Sequence, residues 1–97
     1  MAFWVYILRC ADGSYYTGHT DDLEHRLAQH TIGELKGYTS TRLPVELVFS
    51  QECASRIEAL DAELRIKGWS RAKKEAMIRG DWNEVSRLSR GKKRQER

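Results

Sequence analysis

Two stretches rich in aromatic and β-branched residues lie close together at the start of the chain and limit the folds it can adopt. The first runs from Phe3 to Cys10 and the second from Tyr15 to Thr20, with the residues ADGS between them. Residues of this kind favour strands, and a short segment containing glycine favours a tight reversal of the chain. The two stretches therefore predict a β-hairpin, which needs further elements to cover its apolar side.

Signals for a helix and then a loop follow the hairpin. Asp21 or Asp22 can cap a first helix, and Gly33 can end it. The segment between Gly33 and Pro44 is polar and contains a further glycine and several hydroxyl side chains, a composition typical of loops. We therefore expect a short helix followed by a mobile loop.

A third strand and three further helices are predicted in the remainder of the chain. Residues 45–50 have strand composition, and residues 54–67 have apolar residues at helical spacing. The positions expected on the buried face of this second helix are Ala54, Ile57, Leu60 and Leu64. Ser70 can cap another helix, and a last one is expected from Asp81 past Leu88.

This order of elements predicts an α/β (α+β) fold. The sequence β-β-α-β-α, followed by one or two C-terminal helices, suits a small three-stranded mixed β-sheet flanked by helices. A chain of 97 residues has room for one core, so we expect one domain over residues 1–88. Residues 89–97 contain no apolar side chain, which predicts a basic disordered tail.

Charge is distributed unevenly along the chain. Residues 1–63 contain 5 Lys/Arg against 10 Asp/Glu, and residues 64–97 contain 12 against 4. A basic end of this kind attracts nucleic acid, although a solvated helix face with a frayed tail has the same composition. The 2 cysteines lack CxxC spacing, so we expect a reducing cytoplasm and neither a disulfide framework nor a zinc site.

Two tyrosines, an arginine and a glutamate recur at a distinctive spacing. WVY contains Tyr6, YTG contains Tyr16 ten residues later, and Arg26 follows after another ten. Glu63 lies on the second predicted helix. This constellation resembles the GIY-YIG nuclease family, with WVY and YTG in place of its two tripeptide motifs. The resemblance covers nearly the whole chain and is closest to the small standalone (UPF0213-like) members.

The resemblance implies an endonuclease that hydrolyses DNA phosphodiester bonds with Mg²⁺ or Mn²⁺. It places Tyr6 and Tyr16 beside the nucleophile, Arg26 on the scissile phosphate and Glu63 on the metal ion. A guanidinium matches two phosphate oxygens, and a single carboxylate leaves most of the ion's coordination to water and phosphate. The alternatives are a surface ion pair of Arg26 with Asp22 and tyrosine rings that serve only packing.

The general base stays open at this point. An unperturbed tyrosine has a pKa of about 10, so a tyrosine base needs help from nearby groups. We expect Tyr6 to act as base or to position water while Tyr16 bonds phosphate or water, or the reverse. His19 stands where several relatives carry lysine, and a histidine can hold or relay a proton there. Glu58 points away from Glu63 on the same helix, so one metal ion is expected.

A further group of residues is expected to contact nucleic acid. His30 follows Arg26 by one helical turn, although a histidine near a helix end also favours the helix dipole. The segment KGWSRAKK interleaves Trp69 with cations, an arrangement that can stack on bases, although packing also explains the ring. The residues expected to bind are His30, Arg42, Lys67, Arg71, Lys73 and Lys74.

The sequence leads to three functional hypotheses. The first is a monomeric Mg²⁺- or Mn²⁺-dependent endonuclease in DNA repair or nucleic-acid processing, acting on single-stranded, nicked or branched DNA, with RNA left open. The second is a catalytically weak or inactive nucleic-acid-binding module of the same fold. The third is a protein-interaction domain whose basic tail docks an acidic partner. No run of apolar residues approaches the ~18 that a membrane-spanning helix needs.

Overall fold

The N-terminal hairpin forms as its sequence predicts. In the computed structural model, which describes the backbone of residues 2–95 and the side chains of residues 2–89, strand β1 is Phe3–Arg9 and strand β2 is Tyr15–Thr20. The two strands pair antiparallel. Asp12 stabilises the turn between them, because its Oδ1 accepts a hydrogen bond from the backbone N–H of Ser14 at 3.0 Å. Gly13 supplies the positive φ of 84° that closes the reversal.

A third strand completes the sheet on the other side of β1. Strand β3 is Glu46–Cys53, and the strand order is β2-β1-β3. Both pairings are antiparallel, so the sheet is antiparallel and the expectation of a mixed sheet is wrong. Strands β2 and β3 run in the same direction but never pair with each other, because β1 lies between them. Four consecutive residues of this central strand are buried, and they are Val5, Tyr6, Ile7 and Leu8.

The first helix begins and ends close to the predicted residues. Helix α1 is Leu23–Thr31, and Asp22 caps it through Oδ1, which accepts a hydrogen bond from the backbone N–H of His25 at 3.1 Å. Gly33 has a φ of 74° just beyond the helix end, a conformation that glycine adopts without strain. The capping and ending signals in the sequence are confirmed.

Helix α2 forms where expected but buries a different face. It spans Arg56–Lys67 and packs against the sheet through Ala59, Glu63 and Ile66. The predicted buried face is wrong: Ile57 is 80% exposed, Leu60 40% and Leu64 60%, and Ala54 is exposed before the helix begins. Apolar residues surround most of this helix, so their spacing does not select one face. The small side chain of Ala59 lies on the face that meets the sheet.

The chain divides into two compact units, Met1–Lys67 and Gly68–Arg97. The second contains helix α3, Arg71–Ile78, and helix α4, Trp82–Gln95. Ser70 caps α3 as predicted, because its Oγ accepts a hydrogen bond from the backbone N–H of Lys73 at 3.2 Å.

The last helix runs through most of the segment expected to be disordered. The backbone of residues 89–95 is helical, and the final two residues of the expected tail lie outside the described part of the chain. Arginine, lysine and glutamine dominate this segment, and all three have good helix propensity. Low apolar content by itself therefore did not predict the backbone conformation.

Candidate active site

The two tyrosines of the hairpin lie on the same face of the sheet. Tyr6 pairs with Gly18 across β1 and β2, and Tyr16 lies two residues before that glycine, so all three share one face. The ring centroids of Tyr6 and Tyr16 are 6.5 Å apart. A Cβ atom at Gly18 would lie 2.7 Å from the Tyr6 hydroxyl oxygen and 2.8 Å from Cζ of the same ring. The bare backbone of Gly18 therefore makes room for the Tyr6 ring.

Helix α1 brings Arg26 and His30 to this pair. The Nε2 atom of His30 is 2.9 Å from the Tyr6 hydroxyl, and its Nδ1 atom is 2.8 Å from Oγ1 of Thr39. The centroid of the His30 ring is 5.3 Å from that of Tyr16. Arg26 lies one turn earlier on α1, and its positive charge acts to lower the pKa of Tyr6. Helix α1 thus places a cation and an imidazole at the tyrosine face, which is the face of the sheet that carries Tyr6 and Tyr16.

Tyr6 and His30 are both held in their neutral forms. Burial is the main cause that raises the pKa of Tyr6 to about 12, with a smaller contribution from Tyr16, and the charge of Arg26 only partly offsets it. Burial, helped by the charge of Arg26, lowers the pKa of His30 below its ordinary value. At neutral pH the Tyr6–His30 pair is therefore a hydrogen bond between two uncharged groups.

Glu63 is a buried carboxylate with a nitrogen partner on each oxygen. Its Oε1 is 2.5 Å from Nδ1 of His19, and its Oε2 is 2.8 Å from Nζ of Lys67. Burial alone would raise the pKa of the Glu63 carboxyl, but the hydrogen bonds from Lys67 and His19 outweigh it and hold that pKa below its usual range. Glu63 is therefore a charged group at neutral pH although only 9% of the residue is exposed.

Glu63 contacts His19 and also acts electrostatically on Tyr6. Alternation along β2 directs His19 to the opposite face from Tyr16, since His19 pairs with Val5. The charge of Glu63 nevertheless contributes to the raised pKa of Tyr6, and Tyr16 contributes to the raised pKa of Lys67. The charges of Arg26 and Glu63 therefore both act on Tyr6, while the direct contacts of Glu63 are with His19 and Lys67.

The donor set around Glu63 fits a hard cation better than zinc. Among the described residues, no three His, Cys, Asp or Glu side chains lie together as a possible metal cage. A single carboxylate suits an ion such as Mg²⁺, which keeps several waters and takes other ligands from phosphate. A carboxylate offers about four lone-pair positions, so the two hydrogen bonds to Glu63 leave acceptor capacity for an ion.

The loop after α1 supplies Tyr38, which the sequence analysis did not single out, beside Arg42, which it did. The ring of Tyr38 stacks on that of Tyr16, with centroids 6.2 Å apart and planes inclined by 27°. The guanidinium carbon of Arg42 lies 3.8 Å from the Tyr38 ring centroid, and Arg42 Nε is 3.0 Å from Oδ2 of Asp12 in the hairpin turn. The sequence signal that could have identified Tyr38 is an aromatic residue beside several hydroxyl residues, in a polar loop that contains glycine.

The residues expected to bind nucleic acid occupy different environments. His30 is 2% exposed, so it lies beneath Tyr6 and away from solvent, whereas Lys67 is exposed and pairs with Glu63. Arg42 is engaged with Asp12 and Tyr38. The remaining three, Arg71, Lys73 and Lys74, lie on α3 in the second unit, where Lys73 Nζ is 4.1 Å from the ring centroid of Trp69.

Outside the site, Glu58 agrees with the sequence analysis. Glu58 is exposed, and its Oε1 accepts a hydrogen bond from the backbone N–H of Ala54 at 3.1 Å, away from Glu63. Cys10 and Cys53 are free thiols. Within the described residues, every helix is too short or too polar to cross a membrane.

Known proteins are similar to this chain over most of its length. The sequence profile of the GIY-YIG catalytic domain matches residues 2–76. A UPF0213 protein of Halobacterium salinarum is 47% identical over 74 residues, which cover 76% of this chain and 96% of the relative. A UPF0213 protein of Bacillus pumilus is 45% identical over 75 residues, which cover 77% of this chain and 76% of the relative.

Two solved structures are similar to the fold. The solution structure of a UPF0213 protein of Bacillus halodurans has a TM-score of 0.54 and 39% identity, covering 92% of this chain and 98% of that protein. The solution structure of a protein of E. faecalis has a TM-score of 0.57 and 34% identity, covering 82% and 85% of the two chains. The profile match spans most of the sequence, and the relatives match over nearly the same part. The chain therefore belongs to the GIY-YIG nuclease family.

Proposed function

We propose that this protein is an endonuclease that hydrolyses DNA phosphodiester bonds and depends on Mg²⁺ or Mn²⁺ held by Glu63. The observation that supports the proposal is that the charges of both Arg26 and Glu63 affect the pKa of the Tyr6 hydroxyl. These three residues come from a strand and two different helices. Structural packing alone does not require a buried carboxylate, an arginine and two tyrosines to meet.

Arg26 is the group that neutralises charge on the phosphate. Phosphodiester hydrolysis moves negative charge onto the phosphoryl oxygens, and a preorganised cation lowers the energy of that transition state. A guanidinium keeps its charge at any working pH and offers paired donors. The positive charge of Arg26 also partly offsets the rise in the pKa of Tyr6.

Burial favours different roles for the two tyrosines. Tyr6 is 1% exposed and has a pKa of about 12, which suits a neutral group that orients its neighbours. Tyr16 is partly exposed and lies close to Lys67. We therefore assign the direct contact with the attacking water or the phosphate to Tyr16. Tyr6 is assigned the role of a neutral group that orients the residues around it. This assignment differs from both arrangements that the sequence left open, because it gives Tyr6 no direct contact with water or phosphate.

His19 and Lys67 orient the carboxylate of Glu63. Each donates to a different oxygen, so the plane of the carboxylate is fixed before substrate arrives. A bound divalent cation would polarise the phosphoryl oxygen and acidify a water molecule. Lys67 is exposed and mobile enough in its long side chain to move from Glu63 to a phosphate when DNA binds.

The cellular setting and substrate follow from charge and thiol chemistry. The net positive charge of the second unit suits a polyanionic substrate, and we propose DNA in a repair or processing step, in single-stranded, nicked or branched form. The 2 free cysteines suit a reducing cytoplasm. We expect the protein to act as a monomer.

Cleavage assays with two site variants and one control variant test the proposal. Purified protein is incubated with labelled DNA and RNA of several forms, with and without Mg²⁺ or Mn²⁺. We expect DNA cleavage that needs the ion, and a loss of at least about 100-fold in Glu63→Gln and in Arg26→Ala, because each removes charge stabilisation at the phosphate. Glu58→Gln, on the same helix but bonded to a backbone N–H, is the matched control and should cleave at the parental rate.

Two outcomes would contradict the endonuclease. Equal cleavage by the parent and Glu63→Gln would mean a contaminant or a different site. Binding of DNA without cleavage under any ionic condition would instead favour the alternative, a nucleic-acid-binding module with little turnover. Circular dichroism of each variant checks that folding is retained.

A further inference from the structure

We propose that Tyr38 is a positioning residue that holds the ring of Tyr16 in place. Tyr38 lies in the loop between α1 and β3, and it is held in turn by Arg42, which is anchored to Asp12 in the hairpin turn. The effect on catalysis rests on the proposed function, which assigns the contact with water or phosphate to Tyr16. The order of the Tyr16 ring does not depend on that function and is measured separately.

The ring of Tyr16 is surrounded by three other rings. Its centroid is 6.5 Å from that of Tyr6, 5.3 Å from that of His30 and 6.2 Å from that of Tyr38. Tyr6 and His30 are 1% and 2% exposed, whereas Tyr38 is 41% exposed. Tyr38 is therefore the neighbour on the solvent side of Tyr16, and its removal would leave the two buried rings to support Tyr16 from the core.

The geometry of the Tyr16–Tyr38 pair is that of a favourable ring contact. Aromatic pairs favour offset-stacked or edge-to-face arrangements with centroids about 4.5–7 Å apart. The two ring planes are inclined by 27°, so Tyr38 lies roughly parallel to Tyr16 and limits the rotation of its neighbour.

Arg42 holds Tyr38 at two points. Its guanidinium carbon lies 3.8 Å from the Tyr38 ring centroid, which is a cation–π contact. Its Nη1 donates a hydrogen bond to the backbone carbonyl of Tyr38 at 2.8 Å. Together these contacts restrain both the backbone and the ring of a residue that would otherwise project from an exposed loop.

The hairpin turn anchors Arg42 through its side chain and its backbone. Arg42 Nε donates to Oδ2 of Asp12 at 3.0 Å, and the backbone N–H of Ala11 donates to the carbonyl of Arg42 at 2.9 Å. Asp12 is itself fixed, because its Oδ1 accepts a hydrogen bond from the backbone N–H of Ser14 at 3.0 Å. An exposed ion pair contributes little to stability, so we expect this anchor to act on the orientation of Tyr38 more than on folding.

The orientation of Tyr16 matters because its hydroxyl is assigned to the reacting groups. Misplacement of such a group by about 1 Å can lower the rate by a factor of about 100. A residue that only positions Tyr16 should therefore change kcat and leave KM unchanged.

Four variants of the full chain test the inference. Tyr38→Leu removes the ring, Tyr38→Phe keeps the ring and removes the hydroxyl, and Arg42→Gln removes the cation. Phe3→Leu is the matched control, because the guanidinium carbon of Arg56 lies 5.0 Å from the Phe3 ring centroid, at the end of β1 far from the hairpin turn. Carbon-13 relaxation of labelled tyrosine rings gives the order parameter of Tyr16 without any need for activity. The Tyr16 signal is assigned by its loss in Tyr16→Phe, and cleavage assays give kcat and KM.

Tyr38→Leu should lower the order parameter of the Tyr16 ring and lower kcat about 10- to 100-fold, with KM unchanged. Tyr38→Phe should match the parent in ring order and in kcat, because the stacked ring is retained. Arg42→Gln should change both quantities in the same direction as Tyr38→Leu but by less, since the ring remains. Phe3→Leu should change neither, whatever its effect on urea denaturation.

Distinct results would overturn the inference or the function. Unchanged order of the Tyr16 ring in Tyr38→Leu, or an equal loss of order in Phe3→Leu, would show that Tyr38 has no specific positioning role. A raised KM with unchanged kcat in Arg42→Gln would overturn its role as an anchor and assign it to phosphate binding. If the parent cleaves nothing while the ring order responds as expected, the positioning of Tyr16 stands and the endonuclease proposal is the part that fails.

Discussion

A hydrogen atom in place of a side chain at Gly18 leaves the space that the ring of Tyr6 occupies. Gly18 is buried in β2, and it lies directly across from Tyr6 in the sheet. Tyr6 cannot move away easily, because it is itself buried and its hydroxyl is bonded to His30. The glycine of the YTG tripeptide is thus a packing requirement of the tyrosine in WVY.

Gly18→Ala should both destabilise the protein and disturb the site. The new Cβ would lie 2.7 Å from the Tyr6 oxygen, and a clash with a buried ring costs about 1–3 kcal/mol of the free energy of unfolding. Urea denaturation measures that loss, and near-ultraviolet circular dichroism reports displacement of the tyrosine rings.

Gly13→Ala is the comparison, because a Cβ there meets nothing within 4 Å and only the positive φ is strained. It should cost about 1 kcal/mol while leaving the tyrosine signal unchanged. Equal tyrosine spectra in Gly18→Ala and the parent would contradict the packing argument.

Burial of neutral His30 links stability to pH. Its folded pKa lies below its unfolded value near 6.5, because burial and the charge of Arg26 disfavour the charged form. The unfolded state therefore binds more protons below about pH 6.5, so stability is complete above that pH and is lost as pH falls. The slope approaches about 1.4 kcal/mol per pH unit for one such proton.

Urea denaturation between pH 7.5 and 5 measures this dependence. His30→Gln should flatten it, and His25→Gln, which alters an exposed residue on the same helix, should not. The carboxyl groups with lowered pKa, Asp12, Glu63 and Glu84, act only below about pH 4.5, so they do not obscure this window. An unchanged slope in His30→Gln would mean that another group titrates.

At the scale of elements, helix α2 shows why an apolar pattern can mislead. Its leucines and isoleucines surround much of the helix, and the sheet buries the face with Ala59 and Glu63. That choice buries the carboxylate, brings it to His19 of β2 and leaves Ile57 and Leu64 in solvent. The helix was predictable from local propensity, but its rotation about its own axis depended on the surface it packs against.

The loop before β3 connects several elements at the site. Thr39 bonds His30 of α1, Tyr38 stacks on Tyr16 of β2, and Arg42 pairs with Asp12 of the hairpin turn. The backbone N–H of Ala11 also donates to the carbonyl of Arg42 at 2.9 Å. A segment expected to be mobile from its composition thus contacts Tyr16, His30 and the hairpin turn.

On the scale of the whole molecule, charge separates along the chain. The first unit, Met1–Lys67, contains 7 Lys/Arg against 10 Asp/Glu, and the second, Gly68–Arg97, contains 10 against 4. The net charges are therefore −3 and +6, which sum to the +3 of the chain. Attraction of DNA to the protein should thus depend mainly on the second unit and weaken as salt is added.

Arg71→Gln on α3 should weaken DNA binding equally across sequences. Loss of one phosphate contact reduces the slope of log affinity against log salt by about one. Fluorescence anisotropy over a series of salt concentrations gives that slope. Arg56→Gln in the acidic unit, where Arg56 pairs with Asp21, should leave it unchanged. A larger change for Arg56 than for Arg71 would place the DNA-binding surface on the first unit.

The sequence by itself determined the hairpin, the beginnings of two helices and the residues that identify the family. Asp22 and Ser70 act as caps within three residues of the N–H groups they bind, so local sequence was sufficient. The regular spacing of Tyr6, Tyr16 and Arg26 marked the candidate site, because these residues lie in adjoining elements of the chain.

Only the tertiary structure decided how those residues are connected. Tyr6 and His30 are 24 positions apart, and His19 and Glu63 are 44 apart, so neither bond follows from local spacing. Alternation along β2 would even have separated His19 from the tyrosine face. Packing of α1, α2 and one loop around the sheet brings these groups together, since the burial of apolar surface fixes the positions of helices that propensity leaves free.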